Sequence, residues 1–293
     1  MTSTRLNEEL GIEAFFKCEN LQKVGAFKAR GATNAVMSLA QDAATRGVVT
    51  HSSGNHGAAL AFAAAARGIP CVVVMPEDAP AIKVAAVQGY GAEIVLCPRT
   101  QREAVCRREI DERGMTLVHP YEDSHVIAGQ GTAALELLDQ VGELDLVVAP
   151  VGGGGLLSGT ALTVSSLSPT TQVWGAEPAN VDDAHRSLEL GVLQPLAENP
   201  VSWGDGLLTQ LGSRPFAILK QHGVRVVTVE EEAMLAAAWT LMRRLKLVVE
   251  PSAATVLAAI RCRTREWSGK RVGAILSGGN TDFAWMQSPL FRP

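Results

Sequence analysis

Residues 16–32 read Phe16-Lys17-Cys18-Glu19-Asn20-Leu21-Gln22-Lys23-Val24-Gly25-Ala26-Phe27-Lys28-Ala29-Arg30-Gly31-Ala32, and the rest of the chain is interpreted from the lysine at position 28. Lys28 follows a Gly-Ala-Phe sequence and opens a segment whose small and apolar residues predict a helix. A lysine amine becomes nucleophilic when desolvation or a neighbouring cation lowers its pKa, and it then forms a Schiff base with a carbonyl. The competing interpretation is a surface lysine at a helix start, because lysines mostly serve solubility.

Three further segments carry glycine or hydroxyl groups at points where a strand is expected to end. Ser52-Ser53-Gly54-Asn55-His56 follows a β-branched run and precedes an alanine-rich segment. Four glycines at 152–155 follow the apolar run 146–151, and Ser277 directly follows the apolar run 271–276. Short apolar runs that alternate with helix-length segments predict βαβ units and parallel sheets.

In this order, the four motifs resemble those of the fold-type II pyridoxal-phosphate enzymes, specifically the serine racemase and serine/threonine dehydratase family. The resemblance spans nearly the whole chain. It implies an α/β fold of the tryptophan synthase β type, with two domains whose parallel-type sheets are flanked by helices. A small substrate-clasping domain at 47–122 would be inserted into a large cofactor-binding domain formed by 1–46 and 123–293.

The four glycines predict a phosphate site on physical grounds as well as by resemblance. Glycine lets backbone N–H groups converge on a phosphate without interference from a Cβ, and a helix N-terminus favours negative charge. The spacing is not the GxGxxG fingerprint of dinucleotide sites, and a glycine run alone is equally consistent with a flexible turn. The resemblance assigns the phosphate to Gly152, Gly153, Gly154 and Gly155, and it includes Leu156 among the cofactor-binding residues.

By the resemblance, Lys28 holds pyridoxal 5'-phosphate as an internal aldimine and removes the Cα proton once an amino acid displaces it. Phe27, Asn55 and Glu250 match further cofactor-binding positions, with Asn55 touching the phenolic oxygen. Ser277 matches the contact to the pyridine nitrogen. A hydroxyl there, unlike a carboxylate, does not hold this nitrogen protonated. The ring is then a weaker electron sink, which favours elimination of a β-leaving group.

The strand-to-helix turn at 52–56 offers N–H groups and hydroxyls that can grip a carboxylate. In racemases of the family, the serine that matches Ser53 returns a proton to the face of Cα opposite the lysine, so Ser53 permits racemisation. At the position of Tyr121 racemases tend to carry asparagine and dehydratases an aromatic residue, which favours a dehydratase. The resemblance implies eight substrate-binding residues: Ser52, Ser53, Gly54, Asn55, His56, Arg102, Tyr121 and Thr209.

The segment Glu177-Pro178-Ala179-Asn180-Val181-Asp182-Asp183 offers carboxylates suited to a hard divalent cation. By the resemblance, Glu177 and Asp183 ligate Mg²⁺, Ca²⁺ or Mn²⁺ together with the carbonyl of Val181. The competing interpretation is a helix N-terminus rich in acidic residues.

The composition sets the class of protein. The chain has 293 residues, of which 47% are hydrophobic and 19% charged, as in an ordinary soluble enzyme. Its net charge of −4 gives no reason to expect a nucleic acid or a membrane surface as partner. The five cysteines include no CxxC pair, which argues against zinc and favours a cytoplasmic protein. A homodimer is expected from the resemblance alone.

These observations predict a pyridoxal-phosphate-dependent ammonia-lyase that converts L-serine, L-threonine or a similar β-hydroxy amino acid to a 2-oxo acid and ammonia. Three alternatives stay open. One is a racemase of serine or aspartate that uses Ser53. Another is a dehydratase of 3-hydroxyaspartate whose extra carboxylate is held by Arg102. The third is a catalytically silent relative that binds only the cofactor or a partner.

Overall fold

The computed structural model describes residues 1–52, 54–79 and 81–292, with Ile82 described by its backbone only. The helices in these ranges are α1 (Thr4–Leu10), α2 (Lys28–Met37), α3 (Gln41–Arg46), α4 (Asn55–Arg67), α5 (Ala81–Gln88), α6 (Arg102–Arg113), α7 (Ser124–Val141), α8 (Gly155–Leu167), α9 (Asp183–Leu190), α10 (Ser213–Gln221), α11 (Glu231–Leu245) and α12 (Pro251–Cys262). The strands are β1 (Glu13–Cys18), β2 (Val48–His51), β3 (Cys71–Pro76), β4 (Glu93–Cys97), β5 (Thr116–Leu117), β6 (Leu146–Pro150), β7 (Gln172–Pro178), β8 (Arg225–Val229) and β9 (Arg271–Leu276).

The strands form two sheets, and every pairing in both sheets is parallel. The larger sheet has the order β1-β9-β6-β7-β8, and the smaller has the order β4-β3-β2-β5. In the described ranges, every two successive strands are joined through at least one helix, as parallel pairing within a sheet requires. The predicted α/β class with parallel sheets is confirmed.

The larger sheet is buried on both faces. Along β6, Leu146 and Val148 belong to one apolar cluster, whereas Val147 and Ala149 belong to another. Alternate residues of a strand point to opposite faces, so the two clusters lie on opposite sides of the sheet. This explains why β6 is a continuous apolar run, which is characteristic of parallel sheets covered by helices on both sides.

The chain divides into two compact units. The first comprises Met1–Phe27 and the described residues from Gly131 onwards, and the second comprises the described residues of Lys28–Gln130. The larger sheet belongs to the first unit and the smaller sheet to the second. The domain limits predicted from the sequence, 46/47 and 122/123, differ from the limits of these two units. The predicted domains remain a prediction.

Within the second unit, α2 and α7 cross at two glycines. A Cβ built on Gly129 would lie 2.7 Å from the carbonyl oxygen of Arg30 and 2.7 Å from Cα of Gly31. The side-chain oxygen of Gln130 accepts the N–H of Gly31 at 3.2 Å. Glycine at both positions is therefore what allows the helix that begins at Lys28 to lie directly against α7.

The other end of α2 is held by an arginine of α4. The guanidinium of Arg67 donates to the carbonyl oxygen of Val36 in the last turn of α2 and to that of Leu39, two residues beyond the helix. None of the helices in the described ranges combines the length and the apolar character that a bilayer span requires.

Candidate active site

The second unit holds Lys28 at the carboxyl-terminal edge of its sheet. Lys28 is the first residue of α2, and its Nζ donates a hydrogen bond to the carbonyl oxygen of Pro120 at 2.9 Å. Pro120 follows β5, which pairs with β2. The predicted nucleophile therefore lies beside the chain that leaves β5.

The predicted carboxylate loop leaves the neighbouring strand, β2. The N–H of Ser52 donates to the carbonyl oxygen of Val74 at 3.1 Å, and Oγ of Ser52 accepts the N–H of Gly54 at 3.3 Å. Gly54 is the N-cap of α4 and Asn55 its first residue. The first amides of a helix lack intrahelical acceptors, so this loop offers N–H groups to an anion. Ser53, the predicted second base, lies outside the described residues.

His56 lies in the first turn of α4 and is buried, with 2% of its surface exposed. Its Nε2 lies 2.9 Å from the carbonyl oxygen of Val118, so Nε2 carries the hydrogen and donates it. Burial, followed by the charge of Lys28, lowers the pKa of His56 to about 3. The side chain is therefore neutral near pH 7, and it ties α4 to the chain after β5.

Two other predicted substrate residues belong to the same unit. The ring of Tyr121 packs edge-on against His119, with 4.6 Å between ring centroids. Arg102 is the first residue of α6, and its Nε donates to the carbonyl oxygen of Arg99 at 3.1 Å. Burial lowers the pKa of His51, and the charge of Arg102 lowers it further, against an opposing effect of Glu103. Arg102 thus acts electrostatically on the residue that precedes Ser52.

The first unit places the four glycines between β6 and α8. Gly154, the N-cap of α8, has φ = +91°, a backbone conformation that L side chains rarely adopt. A Cβ on Gly154 would lie 2.6 Å from Cδ1 of Leu211, and one on Gly152 would lie 3.0 Å from Cα of Leu207. The carbonyl oxygen of Gly153 accepts the N–H of Gly212 at 3.2 Å. This close packing explains why glycine occupies positions 152 and 154. The first-turn amides of α8 have no intrahelical acceptors, so they are available to an anion.

Thr209 lies in the 207–212 segment that packs on the glycines. Its N–H donates to the carbonyl oxygen of Leu207 at 2.7 Å. This predicted substrate residue therefore lies two residues after Leu207, whose Cα would be 3.0 Å from a Cβ on Gly152 of the glycine loop.

Ser277 directly follows β9, the strand that pairs with β6, and is 3% exposed. Its carbonyl oxygen accepts the N–H of Phe27 at 2.9 Å, which fixes the residue before Lys28 against the end of β9. The N–H of Glu250 donates to the carbonyl oxygen of Gly278 at 3.1 Å, and the Glu250 side chain lies so close that a Cβ on Gly278 would be 2.6 Å from its Oε1. Phe27, Glu250 and Ser277 are thus brought together.

The predicted metal ligands also lie in the first unit, at the end of β7. Burial raises the pKa of Glu177 to about 9, and the nearby Asp183 contributes to the rise. Burial likewise raises the pKa of Asp183. Oε1 of Glu177 accepts the N–H of His185 at 2.6 Å, and Oδ2 of Asp183 accepts the N–H of Leu211 at 2.8 Å.

A match at the level of the family decides what these residues belong to. The family model described as pyridoxal-phosphate dependent enzyme matches residues 1–278 of the chain. The chain belongs to this family. Its likeness to serine racemases and threonine deaminases assigns it to fold type II of the pyridoxal-phosphate enzymes.

Three relatives show the range of activities among similar proteins. The chain is 47% identical over 291 residues to the serine racemase of Dictyostelium discoideum, covering 97% of this chain and 89% of that protein. It is 48% identical over 284 residues to the beta-hydroxyaspartate dehydratase of Paracoccus denitrificans, covering 96% and 90%. The solved T.th. threonine deaminase superposes with a TM-score of 0.92 at 46% identity, covering 97% of this chain and 92% of that one. This pyridoxal-phosphate enzyme therefore belongs with racemases and ammonia-lyases.

The residues present fit the cofactor of the family. An aldehyde needs an amine, and Lys28 supplies one at the start of α2. A phosphate needs converging amides, and the glycine loop supplies them at a helix start where any Cβ on Gly154 would clash. The ring nitrogen of the cofactor needs a neighbour, and Ser277, which is buried at the end of β9, supplies a neutral hydroxyl group.

Sequence reasoning on this pyridoxal-phosphate enzyme did not find two contacts of the site. The carbonyl oxygen of Pro120 accepts from Lys28, but a backbone carbonyl has no signature in a sequence. The 211–212 segment bonds both to Asp183 and to the glycine loop through its own N–H groups. In each case the contact is made by a backbone group of Pro120, Leu211 or Gly212, so no residue pattern could have revealed it.

Proposed function

We propose that this chain is a pyridoxal-phosphate-dependent ammonia-lyase that converts a small β-hydroxy amino acid to a 2-oxo acid and ammonia. The substrates favoured by the proposal are L-serine and L-threonine. The observation that carries it is the neutral residue Ser277, buried at the end of β9 and bonded through its carbonyl to the residue before Lys28. A hydroxyl does not hold a ring nitrogen protonated as a carboxylate does, and this favours elimination.

When bound, pyridoxal phosphate supplies the sink for the electron pair left at Cα. Lys28 would attach the cofactor through Nζ and, once its amine is released, would take the Cα proton. The first-turn amides of α8 and the glycines at 152–155 would bind the phosphate, and Asn55 and Glu250 would orient the ring. Ser52, Gly54 and the start of α4 would hold the substrate carboxylate through N–H and hydroxyl groups.

The aromatic residue at position 121 supports a lyase over a racemase. Tyr121 packs edge-on against His119, and this ring contact would not exist with the asparagine that racemases tend to carry. A racemase would need Ser53 as its second base.

A divalent cation is part of the proposal. Glu177 and Asp183 are buried carboxylates, and burying a carboxylate is costly unless a cation or hydrogen bonds compensate the charge. In the described part of the chain no three His, Cys, Asp or Glu side chains form a metal cluster by themselves. The proposed site therefore needs the carbonyl of Val181 and water as further ligands. Bound there, Mg²⁺, Ca²⁺ or Mn²⁺ would stabilise the 177–183 segment against the glycine loop, through Leu211.

A dehydratase of 3-hydroxyaspartate is the second candidate, favoured by the position of Arg102. Its charge acts on His51, one residue before the carboxylate loop, so a cation is close to where a second carboxylate of the substrate would extend. The 48% identity to a beta-hydroxyaspartate dehydratase supports the same candidate.

The test is incubation of cofactor-loaded protein with L-serine, L-threonine and 3-hydroxyaspartate, followed by assay of 2-oxo acids and of D-enantiomers. The proposal expects 2-oxo acid and ammonia in equal amounts. Preference for 3-hydroxyaspartate that is lost in Arg102→Leu would select the second candidate. Formation of D-enantiomer without 2-oxo acid would overturn the lyase proposal in favour of a racemase.

A further inference from the structure

The turn at residues 119–122 contains Pro120, whose carbonyl oxygen accepts a hydrogen bond from the Lys28 amine. This turn is held from both sides. On its near side, the N–H of Val118 donates to the carbonyl oxygen of Val49 at 3.0 Å, and the carbonyl oxygen of Val118 accepts from His56. Val118 is thus fixed both to β2 and to α4. The proline ring restricts φ of Pro120, so ψ is the soft backbone dihedral that sets the direction of its carbonyl.

On the far side, His119 closes the turn with its own ring. Nδ1 of His119 accepts the backbone N–H of Glu122 at 3.1 Å and that of Tyr121 at 3.4 Å. An atom that accepts from backbone amides carries no hydrogen, so the ring is the Nε2–H tautomer. The pKa of His119 is lowered to about 4, mainly by burial, then by His51, with Lys28 adding to the effect. The acceptor role is therefore maintained throughout the neutral range.

The other charged and titratable groups at the turn come from several elements. His51 ends β2 and lies edge-on to His119 with 5.6 Å between ring centroids, and His56 comes from α4. Glu122, the last residue of the turn, and Asp123, just beyond it, oppose the lowering of the His119 pKa. The Lys28 amine contacts the turn through the Pro120 carbonyl.

We propose that His119 is a positioning residue. By holding the 119–122 turn, it orients the Pro120 carbonyl as the hydrogen-bond acceptor that positions the Lys28 amine. The inference rests on the proposed function of Lys28. A neutral amine that donates one N–H to this carbonyl keeps its lone pair for the Cα proton. When that proton transfers, the C–H bond breaks, its electron pair is left at Cα for the sink that the bound cofactor would supply, and the resulting ammonium still donates to the same carbonyl. No further reactant is needed.

The amide-capping role predicts which substitution preserves the function. Asparagine can accept the same backbone N–H groups through its side-chain oxygen, since asparagine commonly caps amides two or three residues ahead. Alanine cannot. His119→Asn therefore restores what His119→Ala loses, although both remove the imidazole. His125→Ala is the matched control, because His125 is an exposed histidine of α7 in the same unit.

The first measurement is exchange of the Cα proton of L-alanine in heavy water by cofactor-loaded protein, since alanine has no β-leaving group. We expect His119→Ala to slow exchange on the order of 10- to 100-fold, the cost of misplacing a reacting group by about 1 Å. We expect His119→Asn and His125→Ala to stay within a few-fold of the unmodified protein. The amount of borohydride-reducible cofactor at Lys28 should be unchanged in all four proteins.

The second measurement does not depend on activity. In cofactor-free protein at a fixed pH, the rate of acylation of Lys28 is followed by mass spectrometry of its peptide. Loss of the carbonyl acceptor leaves the amine less protected, so His119→Ala should react roughly tenfold faster, and His119→Asn should not.

Each remaining outcome counts against the positioning role. Equal exchange and acylation in His119→Ala would overturn it, and so would a defect in His119→Asn as large as in His119→Ala. Loss of the reducible cofactor in His119→Ala alone would show a general structural role instead. If no protein, including the unmodified one, holds a reducible cofactor at Lys28, the proposed function itself fails, and the acylation rates still decide whether His119 positions the amine.

Discussion

The crossing of α2 and α7 offers a test of how the fold positions Lys28. Gly129→Ala adds one methyl group that would lie 2.7 Å from the carbonyl oxygen of Arg30, 2.7 Å from Cα of Gly31 and 2.8 Å from Cβ of Asn34. Ordinary contacts begin at 3.4 Å, so α2 must retreat by 3.4 − 2.7, or about 0.7 Å. The obstacles include backbone atoms, which cannot rotate away.

The energetic cost follows from two opposing effects. Overpacking of a tight contact costs about 1–3 kcal/mol, and the upper end applies here because the backbone blocks relaxation. Replacing glycine by alanine inside a helix stabilises the helix by about 1 kcal/mol. We therefore expect Gly129→Ala to lower the free energy of unfolding by about 2 kcal/mol. We also expect turnover to fall on the order of 100-fold, because the helix that moves begins with Lys28.

The assay is thermal or urea unfolding, together with turnover by the cofactor-loaded protein. The control is Gly89→Ala in the same unit, where a Cβ would lie 3.3 Å from the carbonyl oxygen of Ala85 and 3.6 Å from that of Ala86. The control should stay within about 0.5 kcal/mol of the unmodified protein. A Gly129→Ala protein with unchanged stability and turnover would refute the claim that this crossing fixes the position of Lys28.

Three further predictions concern acid stability, the phosphate loop and the cation. Folding lowers the pKa of His56 to about 3 and of His119 to about 4, so between these values and 6.5 the unfolded chain binds protons that the folded chain does not. The stability of the folded protein that depends on these two neutral histidines is therefore fully present above pH 6.5, and it is lost as the pH falls from 6.5 towards 4 and 3. Urea unfolding should therefore show about 1.4 kcal/mol less stability per histidine at pH 5.5 than at pH 7.5, and His119→Asn should remove one such share; an unchanged pH dependence in that variant would contradict the assignment. Gly154→Ala should weaken cofactor binding by at least about tenfold in an absorbance titration, because φ is +91° and the new Cβ would lie 2.6 Å from both Leu211 and Pro215; an unchanged affinity would argue against the loop as phosphate site. Mg²⁺ should raise the melting temperature of the chelator-treated protein and of Asp182→Asn, whose carboxylate pairs with Arg186 at 2.8 Å, but not that of Asp183→Asn; an equal rise in Asp183→Asn would exclude the proposed ligand.

The sequence predicted the parts of the site that depend on residue type at strand ends. Gly152 and Ser277 each follow an apolar run and Ser52 a β-branched one, and such runs form parallel strands whose carboxyl ends lie at one edge of their sheet. The small and apolar residues after Lys28 predicted the helix that begins there.

Other parts of the fold left no clear pattern in the sequence. The helices α3 and α10 and the strand β8 were not predicted from it. Pro215 lies in the first turn of α10, where proline is tolerated but obscures a helical pattern. The crossing at Gly31 and Gly129 joins residues far apart in the chain, and only the packed structure shows why both are glycine.

The most direct test of the account is to map the lysine that carries the cofactor. The protein is loaded with pyridoxal phosphate, reduced with borohydride and digested, and the modified peptide is identified by mass spectrometry. The account predicts a single adduct at Lys28, and a Lys28→Ala protein that is colourless and yields no adduct. An adduct on another lysine, or a Lys28→Ala protein that stays yellow and reducible, would contradict it.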